Sequence, residues 1–248
     1  MFTSPSQILC TIFGVNIYYY GVIMALAIAT GVLVADWAGT KYFGLKKETI
    51  IDLAPYIIIF GILGARIYYC ALNYGFYLRF PTEISAMLGG ALGLWLFAKR
   101  HKLNPIKLCD TSVIGLSIAQ AIGRWGNFFN SEAFGAPTNL PWKLYIAPQY
   151  RPIPYQDYQY FHPAFLYESI LDLAIFAILL VLTKTGRLKK DGNLTLIYLI
   201  LYSLVRIFVE MFRLDSVMYI LGVPVAIFVS VGIIIVSTAV FIYNVKRG

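Results

Sequence analysis

The sequence predicts an all-α, polytopic membrane protein of about seven transmembrane helices around a central polar cavity, and three observations carry that expectation. Apolar runs of about 20 residues, each long enough to cross a hydrocarbon layer roughly 30 Å thick, recur along nearly the whole chain. Only 13% of the 248 residues are charged and 59% are hydrophobic, with a mean hydropathy of +0.72, whereas soluble domains run nearer a quarter charged. Arginines nevertheless stand in or at the ends of these apolar runs, where a cation is costly unless it faces an interior partner or a ligand.

Taken in order, the runs predict spans over 15–37, 50–71, 85–98, 111–129, 163–183, 194–212 and 219–243, all within a single membrane-embedded domain covering 1–248. The third span is short and glycine-rich. Gly89, Gly90 and Gly93 would let helices approach closely there, and a broken or tilted segment is as consistent with the run as a straight helix. The residues before Gly14 include no basic side chain and no small-residue cleavage site, so the first span reads as retained rather than as a removable signal. Cys10, Cys70 and Cys109 fit neither a disulfide framework nor a metal motif and read as packing residues.

Orientation follows from the loops. One set carries Lys41, Lys46, Lys47, Lys99, Arg100, Lys102, Lys107, Lys184, Arg187, Lys189, Lys190, Lys246 and Arg247, and the alternate set only Arg79, Lys143, Arg151 and Arg213. The positive-inside rule makes the first set cytoplasmic, so the N-terminus lies outside and the C-terminus inside. The net charge of +8 is thus spread over span ends, which orients a membrane protein and gives no stripe for nucleic acid. The longest loop, 131–162, falls outside. It is longer than a helix connection needs, which favours a cap or a substrate contact.

Three cations remain: Arg66, Arg124 and Arg206. Each pairs with a carboxylate, with Glu132, Glu168, Asp172, Glu210 and Asp215 as candidates, or snorkels to an interface, or holds an anion, because a guanidinium offers a planar fork of donors that matches phosphate. On the sixth span Arg206, Glu210 and Arg213 follow at i, i+4 and i+7, one face carrying plus, minus, plus. Lipid would not tolerate that face, so it is expected to line the polar cavity. The segment GRWGNFFNSEAFG, Gly123 to Gly135, adds glycines that permit close backbone approach and Asn127 and Asn130, which donate without adding charge.

This segment resembles the signature of the prolipoprotein diacylglyceryl transferases, a family of bacterial inner-membrane enzymes. Other segments agree in order: Tyr20-Gly21 is similar to the family's N-terminal Tyr-Gly element, GARIYY from Gly64 to its Gly-x-Arg segment, HPAFLYES from His162 to its His-Pro-x-x-Leu-Tyr-Glu, and RIFVEMFR from Arg206 to its Arg-x-x-x-Glu-x-x-Arg. The resemblance implies transfer of the diacylglyceryl group of phosphatidylglycerol to the lipobox cysteine thiol of a preprolipoprotein, forming a thioether and releasing glycerol phosphate. It implies no metal and no organic cofactor. The phosphatidylglycerol ligands it implies are Arg124, Asn127, Glu132, Gly135 and Arg206, with Arg66 as a further candidate. Arg206, Arg124, Glu210 and Tyr20 are the catalytic set, and His162, Tyr167, Glu168 and Arg213 are secondary candidates.

One position departs from the family pattern. Where relatives usually place a His or Tyr before the glycine pair of the third span, this chain has Leu88, which cannot carry a proton. The thiol is then deprotonated by another group, with Glu210, Glu132, a tyrosine or solvent as candidates and a nearby arginine lowering its pKa. The competing readings are a divergent relative with another substrate and a non-catalytic membrane protein that binds or moves lipid.

Overall fold

A computed structural model describes every residue except 1, 5, 73–81, 189, 215–218, 221 and 248, and only the backbone of 67–72, 82–85 and 219–220. Arg79, Lys189 and Asp215 lie outside the described residues, as does the side chain of Cys70. Among the described residues there are seven α-helices: α1 Tyr19–Tyr42, α2 Thr49–Leu72, α3 Thr82–His101, α4 Pro105–Asn130, α5 Ala164–Thr185, α6 Asn193–Glu210 and α7 Val225–Lys246. Among the described residues all of these but α3 include a stretch long and apolar enough to cross a membrane. The all-α polytopic class stands, with only short strands added.

Two expected spans start too early. Residues 15–18 are β3 Val15–Tyr18, paired antiparallel with β2 Ile8–Ile12 through a turn at Phe13 and Gly14. Before α7 lie β6 Tyr219–Ile220 and β7 Val223–Pro224, paired antiparallel, with Gly222 at φ 78°. In both places an apolar run continues from strand into helix, and run length alone does not divide the two. At the other end α6 stops at Glu210, short of residue 212. The third span is one continuous helix, longer than 85–98.

The chain divides into two compact units, Val32–Val113 and the remainder, Met1–Gly31 with Ile114–Gly248. In the first, α2 and α3 lie against each other through bare glycine backbone. A Cβ on Gly93 would stand 2.5 Å from the Tyr56 carbonyl oxygen, and one on Gly89 would collide with that of Phe60. Leu53, Leu94, Phe97 and Leu108 form the core of this unit. Asp36 closes it by capping α2, accepting the Glu48 and Ile50 amides at 3.0 Å each, which satisfies donors that a helix start leaves open.

In the second unit α5 packs on α6 and α6 on α7. Ser169 Oγ donates to the Ala121 carbonyl of α4 at 2.7 Å, and Asn244 of α7 donates to Asn193 of α6 at 2.9 Å. The 131–162 loop is folded rather than a bare linker. Strand β1 Phe2–Thr3 runs parallel to β4 Leu144–Tyr145, which pairs antiparallel with β5 Tyr160–Phe161. Ala133, Phe134, Leu144, Ile146, Phe161 and Phe165 form a core beneath that sheet. The sheet thereby fixes where the signature segment leaves α4 and where α5 begins.

Candidate active site

Helices α4, α5 and α6 bring the polar residues together inside the second unit. Arg124, in the last two turns of α4, places Nη2 2.5 Å from Oε1 of Glu168, whose side chain is completely buried in the first turns of α5. One turn further along α5 lies Asp172, also fully buried. Neither of its oxygens has a hydrogen-bond partner among the described residues, and it interacts electrostatically with Glu168 and Arg124. On α6 Arg206 Nη2 stands 2.9 Å from Oε2 of the buried Glu210, its i+4 neighbour. The plus–minus stripe read from the sequence therefore exists as an ion pair facing inward.

Tyr202 links the two pairs. It stands one turn before Arg206 and interacts electrostatically with Arg124, Glu168, Asp172 and Arg206. Tyr198, a turn earlier, stacks on Tyr202 at 5.8 Å between centroids and donates to Gln120 of α4 at 2.9 Å. These tyrosines and Gln120 were not among the residues picked from the sequence. Their signal was the same helix face: 198, 202, 206 and 210 are spaced by four, so the polar stripe continues two turns back.

The signature segment is positioned by backbone as much as by side chains. Gly126 is buried, and a Cβ there would meet the Tyr20 ring at 2.9 Å. The absent side chain lets Tyr20 of α1 lie directly on the helix turn that carries Arg124 and Asn127. Past the end of α4 the Glu132 amide donates to the Asn127 carbonyl at 2.9 Å, and Ser131 and Ala133 adopt φ of 55° and 52°. Such left-handed backbone is uncommon outside glycine, and here it turns Glu132 outward, where its side chain is exposed. Glu132 receives a long hydrogen bond from Asn130 at 3.5 Å.

Gly135 serves packing. Its amide donates to the His162 carbonyl at 2.8 Å, it bridges to Arg213, and an added Cβ would meet the Phe212 oxygen at 2.8 Å and His162 Cβ at 2.9 Å. It joins the segment after α4, the start of α5 and the end of α6 at one point. Its amide is therefore already engaged by neighbouring backbone.

His162 and Tyr167 form a chain with Trp142. Trp142 Nε1 donates to Tyr167 Oη at 2.9 Å, and that oxygen lies 3.1 Å from His162 Nδ1. Tryptophan only donates, so Tyr167 Oη accepts from Trp142, and the direction of its bond with Nδ1 follows the imidazole tautomer. Burial lowers the His162 pKa from its ordinary range, which favours the neutral ring. This geometry places Nδ1 in hydrogen-bond contact with Tyr167. His162 and Tyr167 border an apolar groove of about 360 Å³ with Ile170, Leu171, Phe208 and Phe212. Phe208 follows Arg206 by two positions, about 200° around the helix, so on α6 the groove is lined from another face than the one that carries the ion pair.

Arg66 and Leu88 belong to the other unit. Both are exposed, Arg66 on α2 and Leu88 on α3, and Arg66 forms no ion pair among the described residues.

The family model for prolipoprotein diacylglyceryl transferase matches residues 7–243. The chain is 40% identical over 264 aligned residues to a phosphatidylglycerol–prolipoprotein diacylglyceryl transferase of Synechocystis sp., covering 99% of this chain and 92% of the relative. It is 42% identical to the protein of that name from Synechococcus elongatus, over 99% of this chain and 90% of the relative. The Trichormus variabilis protein, also of that name, is 41% identical over 88% and 82% of the two chains. A family model matched over residues 7–243 and relatives 40–42% identical almost from end to end place this chain in the prolipoprotein diacylglyceryl transferase family.

Proposed function

We propose that the protein transfers the diacylglyceryl group of phosphatidylglycerol to the thiol of a lipobox cysteine in a preprolipoprotein, at the outer side of the bacterial cytoplasmic membrane. The observation that carries the proposal is the pair of guanidinium groups, Arg124 and Arg206, each held by a buried carboxylate and both close to Tyr202. Their paired carboxylates, Glu168 and Glu210, keep the interior from being strongly cationic and hold each fork in a fixed direction. Arg124 and Arg206 then bind the phosphodiester, Asn127 donates to its oxygens, and Tyr20 lines the approach.

In the reaction the bond between the glyceryl carbon and a phosphate oxygen breaks as a bond from sulfur to that carbon forms. The departing glycerol phosphate gains a second negative charge and the thiol's proton passes to that leaving group or to solvent, so charge and protons balance. Fixed cations beside the phosphate stabilise the charge that develops there, the kind of preorganised electrostatic stabilisation that accounts for much of enzymatic rate enhancement. Leu88 contributes no proton transfer, and the arginines supply the field that favours the thiolate. The transferases of this name among the relatives support the transfer reading over a lipid-binding or transport role. The loop charges support a topology with the N-terminus outside and the C-terminus in the cytoplasm.

Membranes from cells producing the protein, given phosphatidylglycerol and a synthetic lipobox peptide, are expected to yield a cysteine peptide carrying one diacylglyceryl group by mass spectrometry. Intact, folded protein that binds phosphatidylglycerol yet yields no such peptide would refute transfer and favour the lipid-binding alternative.

A further inference from the structure

The β2–β3 hairpin takes no part in the chemistry above, yet it is unusual in composition. From Ile8 to Tyr18 it contains no charged residue. Thr11 lies opposite Asn16 and Ile12 opposite Val15, which leaves Phe13 and Gly14 as a two-residue turn with φ of 49° and 79°. Left-handed backbone at both positions gives the mirror-image turn that suits strand twist, and Asn or Asp normally takes the first of them. A phenylalanine in that conformation is strained, and this one is 101% exposed. Ile8, Leu9, Ile12, Val15 and Tyr18 are exposed with it.

A hairpin of two strands with apolar side chains on its outside does not hold alone in water, and contiguous apolar surface of this kind marks a partner. The central polar pair is turned inward on itself: Thr11 Oγ1 donates to Asn16 Oδ1 at 2.7 Å, so that hydroxyl proton needs no water. Strand β3 passes without a linker into α1, a membrane-spanning helix. Tyr18, Tyr19 and Tyr20 stand at that junction, and Tyr19 stacks on Phe129 at the end of α4 with centroids 4.2 Å apart. Aromatic residues at helix ends mark the headgroup level. Four residues of strand at about 3.3 Å each reach about 13 Å from the helix, well beyond its own side chains.

We propose that the β2–β3 hairpin is a membrane-interface wedge, which inserts Phe13 with Ile12 and Val15 into the headgroup–acyl boundary of the phospholipid leaflet beside α1. Because the hairpin is uncharged, its insertion rests on apolar area and is insensitive to salt, unlike a polybasic attachment.

The test uses the full chain with Cys10, Cys70 and Cys109 replaced by serine, reconstituted in vesicles of phosphatidylethanolamine and phosphatidylglycerol. A nitroxide is attached through Phe13→Cys, and reference labels through Ile235→Cys on the exposed face of α7 and Asp157→Cys on the loop. Collision with oxygen, which concentrates in lipid, is compared with collision with a water-soluble nickel chelate. A ratio at position 13 at least tenfold above that at 157 and approaching that at 235, unchanged at high salt, is expected. A ratio equal to that at 157 would overturn the proposal by placing the tip in water. Protection from both reagents would also overturn it, by showing that a second copy or another protein covers the tip. A second reporter keeps the native tip: the exposed Cys10 labelled in a Cys70→Ser, Cys109→Ser chain, which is expected to favour oxygen over nickel in the same way.

Discussion

Replacing Arg124 by leucine separates what its ion pair does for the fold from what it does for the reaction. Glu168 is completely buried and Arg124 is 22% exposed. Removing one member of a buried pair leaves the other charge uncompensated, at a cost of about 3–5 kcal/mol, whereas replacing both by apolar residues is often neutral. The partial exposure of Arg124 sets the expected loss near the lower end, about 3 kcal/mol. For a chain of this length that is a fall in Tm of roughly 6–12 °C. The further change Glu168→Leu is expected to restore most of the stability. Turnover behaves differently: loss of a fixed donor beside developing charge costs roughly 100- to 1000-fold, and the double variant stays that slow because the phosphate anchor is still missing. The assays are thermal unfolding in detergent micelles and lipobox-peptide modification at matched protein amounts. A double variant that recovers both stability and turnover would make the pair a scaffold only. An unchanged Tm in Arg124→Leu would contradict the buried-pair reasoning itself.

Three further outcomes follow from the same geometry. Arg206→Ala is expected to abolish detectable transfer while Arg206→Lys keeps a small fraction, because an ammonium preserves charge without the planar fork; near-native transfer by Arg206→Lys would argue against bidentate phosphate contact. Gly135→Ala places a Cβ within 3.1 Å of Phe212 and His162 atoms, and overpacking of this kind costs about 1–3 kcal/mol, to be read as a lower Tm. For His162, burial holds the folded imidazole below its ordinary range, so the unfolded chain takes up the proton first as pH falls through about 6.5. Stability should therefore decline with falling pH in that window and level off once the folded ring protonates, and a His162→Gln chain should lack that component when Tm is followed from about pH 7.5 to 5.

Helix number and order were legible in the sequence because a membrane span announces itself by apolar run length. The ends were less so. Val15–Tyr18 and the stretch before Val225 are apolar enough to extend the neighbouring helix and are instead paired as strands, a distinction made by the turns at Phe13–Gly14 and Gly222 rather than by hydropathy. In the site, the ion pair Arg206–Glu210 could be read from spacing along one helix. That Arg124 takes Glu168 could not, since 44 positions separate them and only the packing of α4 on α5 selects Glu168 over Glu132. Tyr202 was hidden for a related reason: tyrosines abound near span ends as interfacial residues, and only its place one turn before Arg206 marks it as interior. Gly135 was visible as a required glycine, but the sequence does not say whether a glycine makes room for a ligand or for neighbouring chain. Here its neighbours are Phe212 and His162.

The central claim is that Arg124 and Arg206 hold the phosphate of phosphatidylglycerol while its diacylglyceryl group moves to a cysteine thiol. The most direct test is the mass of a lipobox cysteine peptide after incubation with phosphatidylglycerol and either the native protein or an Arg206→Ala chain of matched abundance, both assayed at a temperature below the unfolding transition of either chain. The expected result is a peptide heavier by one diacylglyceryl group with the native protein and an unmodified peptide with the variant. Equal modification by both, or none by the native protein, would contradict it.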